Sequence, residues 1–252
     1  MKKLENKKAV ITGGNSGIGF ATAHEFINEG AKVLITGRNE QLVAEATNQL
    51  GAIGMMSDQS KLSQIDELIE NTKKQFGKID ILVINAGIFS VAPFDTVSEQ
   101  DYDSIFNINF KGVFFTLQKF LPILNNNASV ILISALGATT ASFPGTSVYN
   151  ATRAAVNSLT RSVSYELAPK GIRVNSVSPG PIETPIFGKG GFPMEQLEEM
   201  AGVIQKRIPL KRFGTATDVA KLALFIASDD AAFITGSEYA IDGGIRNLPV
   251  MV

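Results

Sequence analysis

Two residues in the stretch "SVYNATRAAV" (147–156) carry groups that can do chemistry together, the phenol of Tyr149 and the guanidinium of Arg153. Positions i and i+4 lie one above the other on a helix, so both groups can address one small target. A phenol gives or takes a proton, and a guanidinium supplies positive charge with planar N–H donors. The same pair occurs on helices that only face water, so spacing alone does not establish a site. The rest of the composition narrows the chemistry. There is no cysteine, which excludes disulfides, a thiol nucleophile and zinc-thiolate sites. The one histidine, His24, falls in the first predicted helix away from other polar clusters and is expected to be a surface or packing residue, not a base.

These residues must be positioned by a regular frame. Short β-branched runs recur: "KAVIT" (8–12), "KVLIT" (32–36), "IDILVI" (79–84), "SVILIS" (129–134) and "IRVNSVS" (172–178). Weaker strands are expected at 53–56 and 238–241. Between them lie segments of helical period closed by glycine, such as "IGFATAHEFINEG" and "KLSQIDELIENTKKQFG". Strands alternating with helices imply right-handed crossovers and a parallel sheet, hence a doubly wound α/β Rossmann fold with a seven-stranded, mostly parallel sheet. With 252 residues, 44% apolar, and a formal charge of −1, the chain fits a single domain over 1–252. The near-neutral charge offers no basic field for nucleic acid. "MKKLENKK" is not followed by the apolar run that export requires, so a cytoplasmic protein without membrane association is expected. The stretch "PGPIETPIFGKGGFPM" (179–194) fits no regular element and is expected to be a mobile loop, part of a substrate lid at about 182–207.

After the first strand comes "TGGNSGIG", with Gly13, Gly17 and Gly19 where strand turns into helix. Glycines permit a tight turn and close backbone approach, and the helix N-terminus presents N–H groups to a pyrophosphate. The spacing differs from G-x-G-x-x-G, but the position in a strand–turn–helix unit is the one dinucleotide binding needs. At the tip of the second strand stands "TGRNE", with Arg38 and no acidic residue to hold an NAD ribose. Arginine makes a charge-assisted contact to a 2′-phosphate, so NADP is favoured over NAD. Asp58, after the third strand, can accept from an adenine amino group or cap a turn.

"TGGNSGIG", "NAG" (85–87), "NINFKG" (107–112), "YNATR" (149–153) and "SPGPIETP" stand in the order and spacing of the short-chain dehydrogenase/reductase family, which the chain resembles over nearly its whole length. The resemblance implies a nicotinamide cofactor held by Gly13, Asn15, Ser16, Gly17, Ile18 and Gly19. It extends the cofactor site to Asn85, Ala86 and Gly87, to Tyr149 and Arg153, and to Pro179, Gly180, Ile182 and Thr184. It further implies that Tyr149 protonates a carbonyl oxygen while hydride arrives from the nicotinamide, that a serine after the fifth strand holds that oxygen, and that Asn109 supports a proton-relay water. One position departs from the pattern: Arg153 stands where the family carries a lysine that binds the nicotinamide ribose and favours the phenolate by its charge. Arginine keeps the charge but is bulkier and does not deprotonate.

The family's serine lies thirteen residues before the tyrosine, which here is Leu136, unable to donate a hydrogen bond. Ser134, at the end of "SVILIS", is the choice, with two extra residues in the following loop. Thr139, Thr140 and Ser142 are substitutes, and Ser147 is expected to cap the helix or lie beside the substrate. The leading reading is an NADP-dependent enzyme interconverting a carbonyl and a secondary alcohol. The second is a catalytically weak or inactive NADP-binding protein, a sensor or assembly partner, which Arg153 and the displaced serine permit. "TGGNSGIG" lacks the Lys-Ser/Thr pair of a nucleotide-triphosphatase loop. "FGKGGFPMEQLEEM" and "AGIFSVAPF" are rich in Phe, Ile and Met, which points to an apolar ketone or alcohol. The resemblance implies a homotetramer, with which the apolar ending "NLPVMV" agrees.

Overall fold

The computed structural model describes residues 2–140, 144–184 and 194–247, the side chains of 194–200 excepted. The strands are β1 (Lys8–Thr12), β2 (Lys32–Gly37), β3 (Ile53–Met56), β4 (Ile79–Ile84), β5 (Leu124–Ile133), β6 (Arg173–Pro179), β7 (Ile182–Glu183), β8 (Gly214–Thr215) and β9 (Glu238–Ile241). The α-helices are α1 (Gly17–Asn28), α2 (Glu40–Leu50), α3 (Leu62–Phe76), α4 (Glu99–Phe106), α5 (Gly112–Phe120), α6 (Ser147–Leu167), α7 (Met194–Arg207) and α8 (Ala216–Ala227). Seven strands form one parallel sheet in the order β3-β2-β1-β4-β5-β6-β9, the doubly wound class expected.

Period-two alternation along the central strands splits the core into two layers. Val10, Leu34, Leu82, Val130 and Val174 face α3, α5 and α6, while Ala9, Ile11, Val33, Ile81 and Ile131 face α1, α2 and α8. The chain runs outward through β2 and β3, then crosses back by α3 to place β4 on the other side of β1. At that reversal the connections leave β1 and β4 in opposite directions and open a crevice at their carboxyl ends, where open α/β sheets take ligands.

Two expectations are corrected. β5 begins at Leu124, five residues before "SVILIS", because Leu124 pairs with Ile79 of β4; the polar residues "NNNA" then bulge out of the ladder, which resumes at Ser129 opposite Ile81. A bulged polar run carries no strand period, so only the pairing of Leu124 reveals it. Ile182–Glu183, inside the stretch read as irregular, pairs with Gly214–Thr215 as a second, two-stranded sheet, and residues 194–207 of the expected lid are helical. The remainder of that stretch, 185–193, lies outside the described residues.

The second small strand leads into α8 through a reciprocal cap. Thr215 Oγ1 accepts from the Asp218 N–H at 3.1 Å, and Asp218 Oδ2 accepts from the Thr215 N–H at 2.9 Å and from Arg212 Nη1 at 2.7 Å. The Arg212 guanidinium, with the Thr215 N–H second, lowers the Asp218 carboxyl to about 2. Thr215→Ala is expected to cost about 1 kcal/mol in urea unfolding at neutral pH. Because the folded value is depressed, the carboxylate's contribution is complete above the unfolded value near ~3.9 and is lost as pH falls toward 2. Unfolding free energies of Asp218→Asn should therefore lack the acid-limb slope that the natural protein shows in that window.

Candidate functional site

At the end of β1 the chain turns through Gly13 (φ 65°) and Gly17 (φ 55°), both in the left-handed region that favours glycine. A Cβ at Gly19 would collide with the Gly13 carbonyl and lie 2.6 Å from Asn85 Nδ2, so the third glycine lets α1 close onto the loop. Ser16 precedes α1 with no side-chain cap bond, which leaves the first-turn N–H groups available to an anion. Asn15 folds over Gly37, where a Cβ would lie 2.5 Å from its Oδ1. Arg38 follows, while Asn39 caps α2 by accepting from the Leu42 N–H at 2.9 Å. A glycine cradle and an uncapped helix start form a chemically coherent fit to the pyrophosphate of a dinucleotide, with Arg38 beyond them at the tip of β2.

One cavity of about 830 Å³ runs across the crevice. The cofactor and catalytic residues read from the sequence wall it except Gly19 and Asn109, which contact wall residues Gly13 and Ile88. Of the alternative hydroxyls Thr140 is on the wall, Thr139 and Ser147 are not, and Ser142 lies outside the described residues. Asn85 donates to the carbonyls of Thr12 and Gly13, both at 3.0 Å, and so ties the two halves together. Asp58 Oδ1 accepts from Ser60 N–H at 3.0 Å and Ser60 Oγ at 2.8 Å, the turn-capping alternative, while its side also faces the cavity. His24 is exposed on α1, beside Asn28. Ser147 is the first residue of α6 and Thr146 precedes it, with no side-chain cap bond there.

Tyr149 and Arg153 lie on the first turns of α6, as the i, i+4 spacing requires, with Arg153 Cζ 5.0 Å from the Tyr149 ring centroid. Phe89 meets the same ring edge-on, with centroids 5.0 Å apart. The guanidinium is buried, 4% exposed. Its Nη1 donates to the Ile133 carbonyl at 3.2 Å, whereas its Nε is buried with no hydrogen-bond partner among the described residues. Room for this large head comes from Gly87: a Cβ there would collide with Arg153 Nη2 and lie 3.1 Å from Asn109 Oδ1. Three motifs far apart in sequence thus converge on one point.

Asn109 is fully buried in a π-helical turn, Asn107–Lys111, between α4 and α5. Its Oδ1 accepts from the Ile88 N–H and its Nδ2 donates to the Ile88 carbonyl, both at 2.9 Å, so it braces the segment after "NAG". Ser134 is the first residue past β5, and its N–H continues the ladder to the Val177 carbonyl at 2.7 Å. Its Oγ donates to the Arg153 carbonyl at 3.0 Å, which commits its single proton to the backbone of α6. Thr140 also walls the cavity, donating to the Leu136 carbonyl at 3.2 Å.

Sequence reading missed Thr12 and Gln59. Thr12 Oγ1 accepts from the N–H groups of Asn85 and Ala86, each at 3.0 Å, and donates to Gln59 Oε1 at 3.1 Å. Gln59 Nε2 donates to the carbonyls of Ala86 and Ile108. Thr12 opens the "TGGNSGIG" stretch, but its spacing marks the glycines and not the hydroxyl, and Gln59 belongs to no motif. The convergence on Gly87 generates a coupling prediction. Gly87→Ala should displace the Arg153 head and lower cofactor affinity and turnover, and Arg153→Lys, with a slimmer head, should recover much of that loss. A double-mutant cycle on cofactor affinity that came out additive would show that the two residues do not share the space.

Residues 13–246 match the family model described as "Enoyl-(Acyl carrier protein) reductase". The chain is 40% identical over 250 residues to the 3-oxoacyl-[acyl-carrier-protein] reductase FabG of Thermotoga maritima, covering 96% of this chain and 99% of that protein. It is 34% identical over 254 residues to galactitol 2-dehydrogenase of Agrobacterium fabrum, covering 96% and 98%. A crystal structure of a short-chain dehydrogenase/reductase from Brucella melitensis superposes with a TM-score of 0.91 at 34% identity, over 97% of this chain and 99% of that one. With the Rossmann sheet, the glycine cradle and the Tyr149 helix facing one crevice, the chain belongs to the short-chain dehydrogenase/reductase family and is an oxidoreductase of that family.

Proposed function

We propose that this oxidoreductase interconverts a ketone and a secondary alcohol with NADP, Tyr149 acting as acid in reduction and base in oxidation. The observation that carries the reading is the continuity of one cavity from the glycine loop and Arg38 to the Tyr149 phenol. The reduced nicotinamide supplies the hydride. Tyr149 gives its proton to the carbonyl oxygen and is left as phenolate; in the other direction it recovers that proton from the alcohol. Arg153 supplies positive charge beside the ring, its Cζ 5.0 Å from the Tyr149 centroid.

Arg153 also presents donors toward the ribose side of the site. With Nη1 already on the Ile133 carbonyl and Nη2 against Gly87, it is held in place and does not swing. Ser134 polarises the substrate oxygen by rotating its hydroxyl away from the Arg153 carbonyl, Thr140 being the other hydroxyl on the wall. Asn109 orders the relay water behind them. Ile88, Phe89, Leu136, Ile204 and Ile245 make the inner wall apolar, which supports a substrate with an apolar body. Residues 1–252 act as one domain with α7 at the substrate entrance, in a cytoplasmic setting. The exposed aromatics Phe114 on α5 and Tyr165 on α6 support a homotetramer packed through the long helices. Among the described residues no helix is long and apolar enough to cross a membrane.

Tyr149→Phe is expected to lower turnover by about a hundredfold or more in a ketone panel assayed with both cofactors, the usual worth of a positioned acid. Undiminished turnover would assign the proton to another group. Fluorescence titration should show tighter binding of NADPH than NADH, with Arg38→Asp reversing the order; equal affinities would remove Arg38 from the 2′-phosphate. Light scattering at micromolar concentration should read four copies, and a monomer would end the tetramer assignment.

A further inference from the structure

Five charged side chains wall the cavity: Arg38, Asp58, Arg153, Arg207 and Arg246. Arg38 and Asp58 follow β2 and β3 at one edge of the sheet, and Arg153 lies beneath Tyr149. Arg246 follows β9 at the other edge, five strand positions from β2, so it stands on the order of 24 Å from Arg38 at about 4.8 Å per strand. A 2′-phosphate answered by Arg38 is out of its reach.

Arg207 and Arg246 belong to one seam. Arg207 ends α7, and the three residues after it are strapped to the turn that precedes Arg246. A Cβ at Gly243 would lie 2.6 Å from Ile208 Cγ2, one at Gly244 would lie 3.2 Å from Pro209 Cγ, and Leu210 N–H donates to the Gly243 carbonyl at 3.3 Å. The turn is braced by Asp242, whose carboxylate accepts from the Gly244 and Arg246 N–H groups. Its Cα would sit 2.7 Å from a Cβ at Gly180, which fixes the seam against the end of β6. Asp242 Oδ2 lies 3.7 Å from Arg246 Nε and answers part of that charge. Among the described residues Arg207 has no ion-pair partner, and Asp242 is the only carboxylate within residues 207–210 and 242–246. Ile204, one turn before Arg207 on α7, and Ile245, next to Arg246, wall the same cavity and put apolar surface beside the two charges.

We propose that the substrate carries an anionic oxygen group, carboxylate or phosphate, at the far end of its apolar body, bound by Arg207 with Arg246 in support. The proposal rests on the carbonyl-reductase reading and names the substrate class of that site. Planar guanidinium donors match both anions, and a cleft lined by one sign of charge concentrates ligands of the other.

The test uses one series of methyl ketones ending in a carboxylate, in a phosphate monoester, or in the methyl ester of the carboxylate. Both anions, or the one the seam prefers, should show kcat/KM higher than the neutral ester by about tenfold or more, the scale of one charge-assisted contact. Arg207→Gln should collapse that ratio toward one, Arg246→Gln should lower it less, and added salt should shrink it. Equal use of acid, phosphate and ester by the natural protein would overturn the proposal while leaving the reductase reading intact. Loss of NADP affinity in Arg207→Gln would also overturn it, by placing that arginine on the cofactor. A readout independent of turnover is calorimetric binding of a saturated carboxylate of matched length, against its primary amide, to the NADP-bound protein. Tighter carboxylate binding that Arg207→Gln abolishes supports the proposal even where no ketone is reduced, and equal binding of acid and amide sinks it.

Discussion

The crevice depends on one buried hydroxyl. The ladder pairs β1 with β4 as far as Thr12 and Ile84, and beyond those residues the connections diverge and leave it. Thr12 Oγ1 ties the loop that follows β4 back to β1 by accepting from two consecutive backbone N–H groups of that loop and donating to Gln59. Gln59 passes the constraint on to the π-helical turn through the Ile108 carbonyl. Buried donors and acceptors left unmade here would each cost about 1–3 kcal/mol, so the network holds as a unit. The glycine loop, the "NAG" segment and the turn carrying Asn109 are therefore one rigid floor to the cavity.

On that floor Arg153 supplies a planar, directional charge. Its head is set by the Ile133 carbonyl, by the space over Gly87 and by the Tyr149 ring. A lysine in this place could rotate its ammonium among several acceptors; a guanidinium wedged between a glycine and a ring cannot. The arrangement keeps a fixed positive charge beside the phenol. Ser134 is drawn into the same arrangement, since its proton rests on the backbone carbonyl of the very residue that supplies the charge.

Charge along the cavity follows the sheet. Among the described residues of the wall, Arg38 and Asp58 stand at the β2–β3 edge, Arg153 lies beside the Tyr149 ring, and Arg207 and Arg246 stand at the far edge. Apolar side chains such as Ile88, Phe89, Leu136, Ile204 and Ile245 share the wall with polar ones such as Asn85, Ser134 and Thr140. The cavity thus gathers four arginines against one carboxylate, a pattern composition could not disclose in a chain of formal charge −1.

The sequence by itself determined whatever depends on neighbours along the chain. Period-two β-branched runs marked β1, β4 and β6, glycines at Gly13 and Gly17 supplied the positive φ of the phosphate turn, and i, i+4 spacing put Tyr149 beside Arg153. Conformational preference and helical geometry act over a few residues, so these features can be read locally. Only the tertiary structure decided what depends on residues brought together from afar. It started β5 at Leu124, paired with Ile79 across a bulge, and formed β7 by pairing Ile182 with Gly214. It gave Gln59 its role forty-nine residues from Ile108, and it set Arg207 and Arg246 on one seam. Hydrogen-bond partners, burial and the room for a guanidinium are properties of packed surfaces, and a packed surface has no period along the chain.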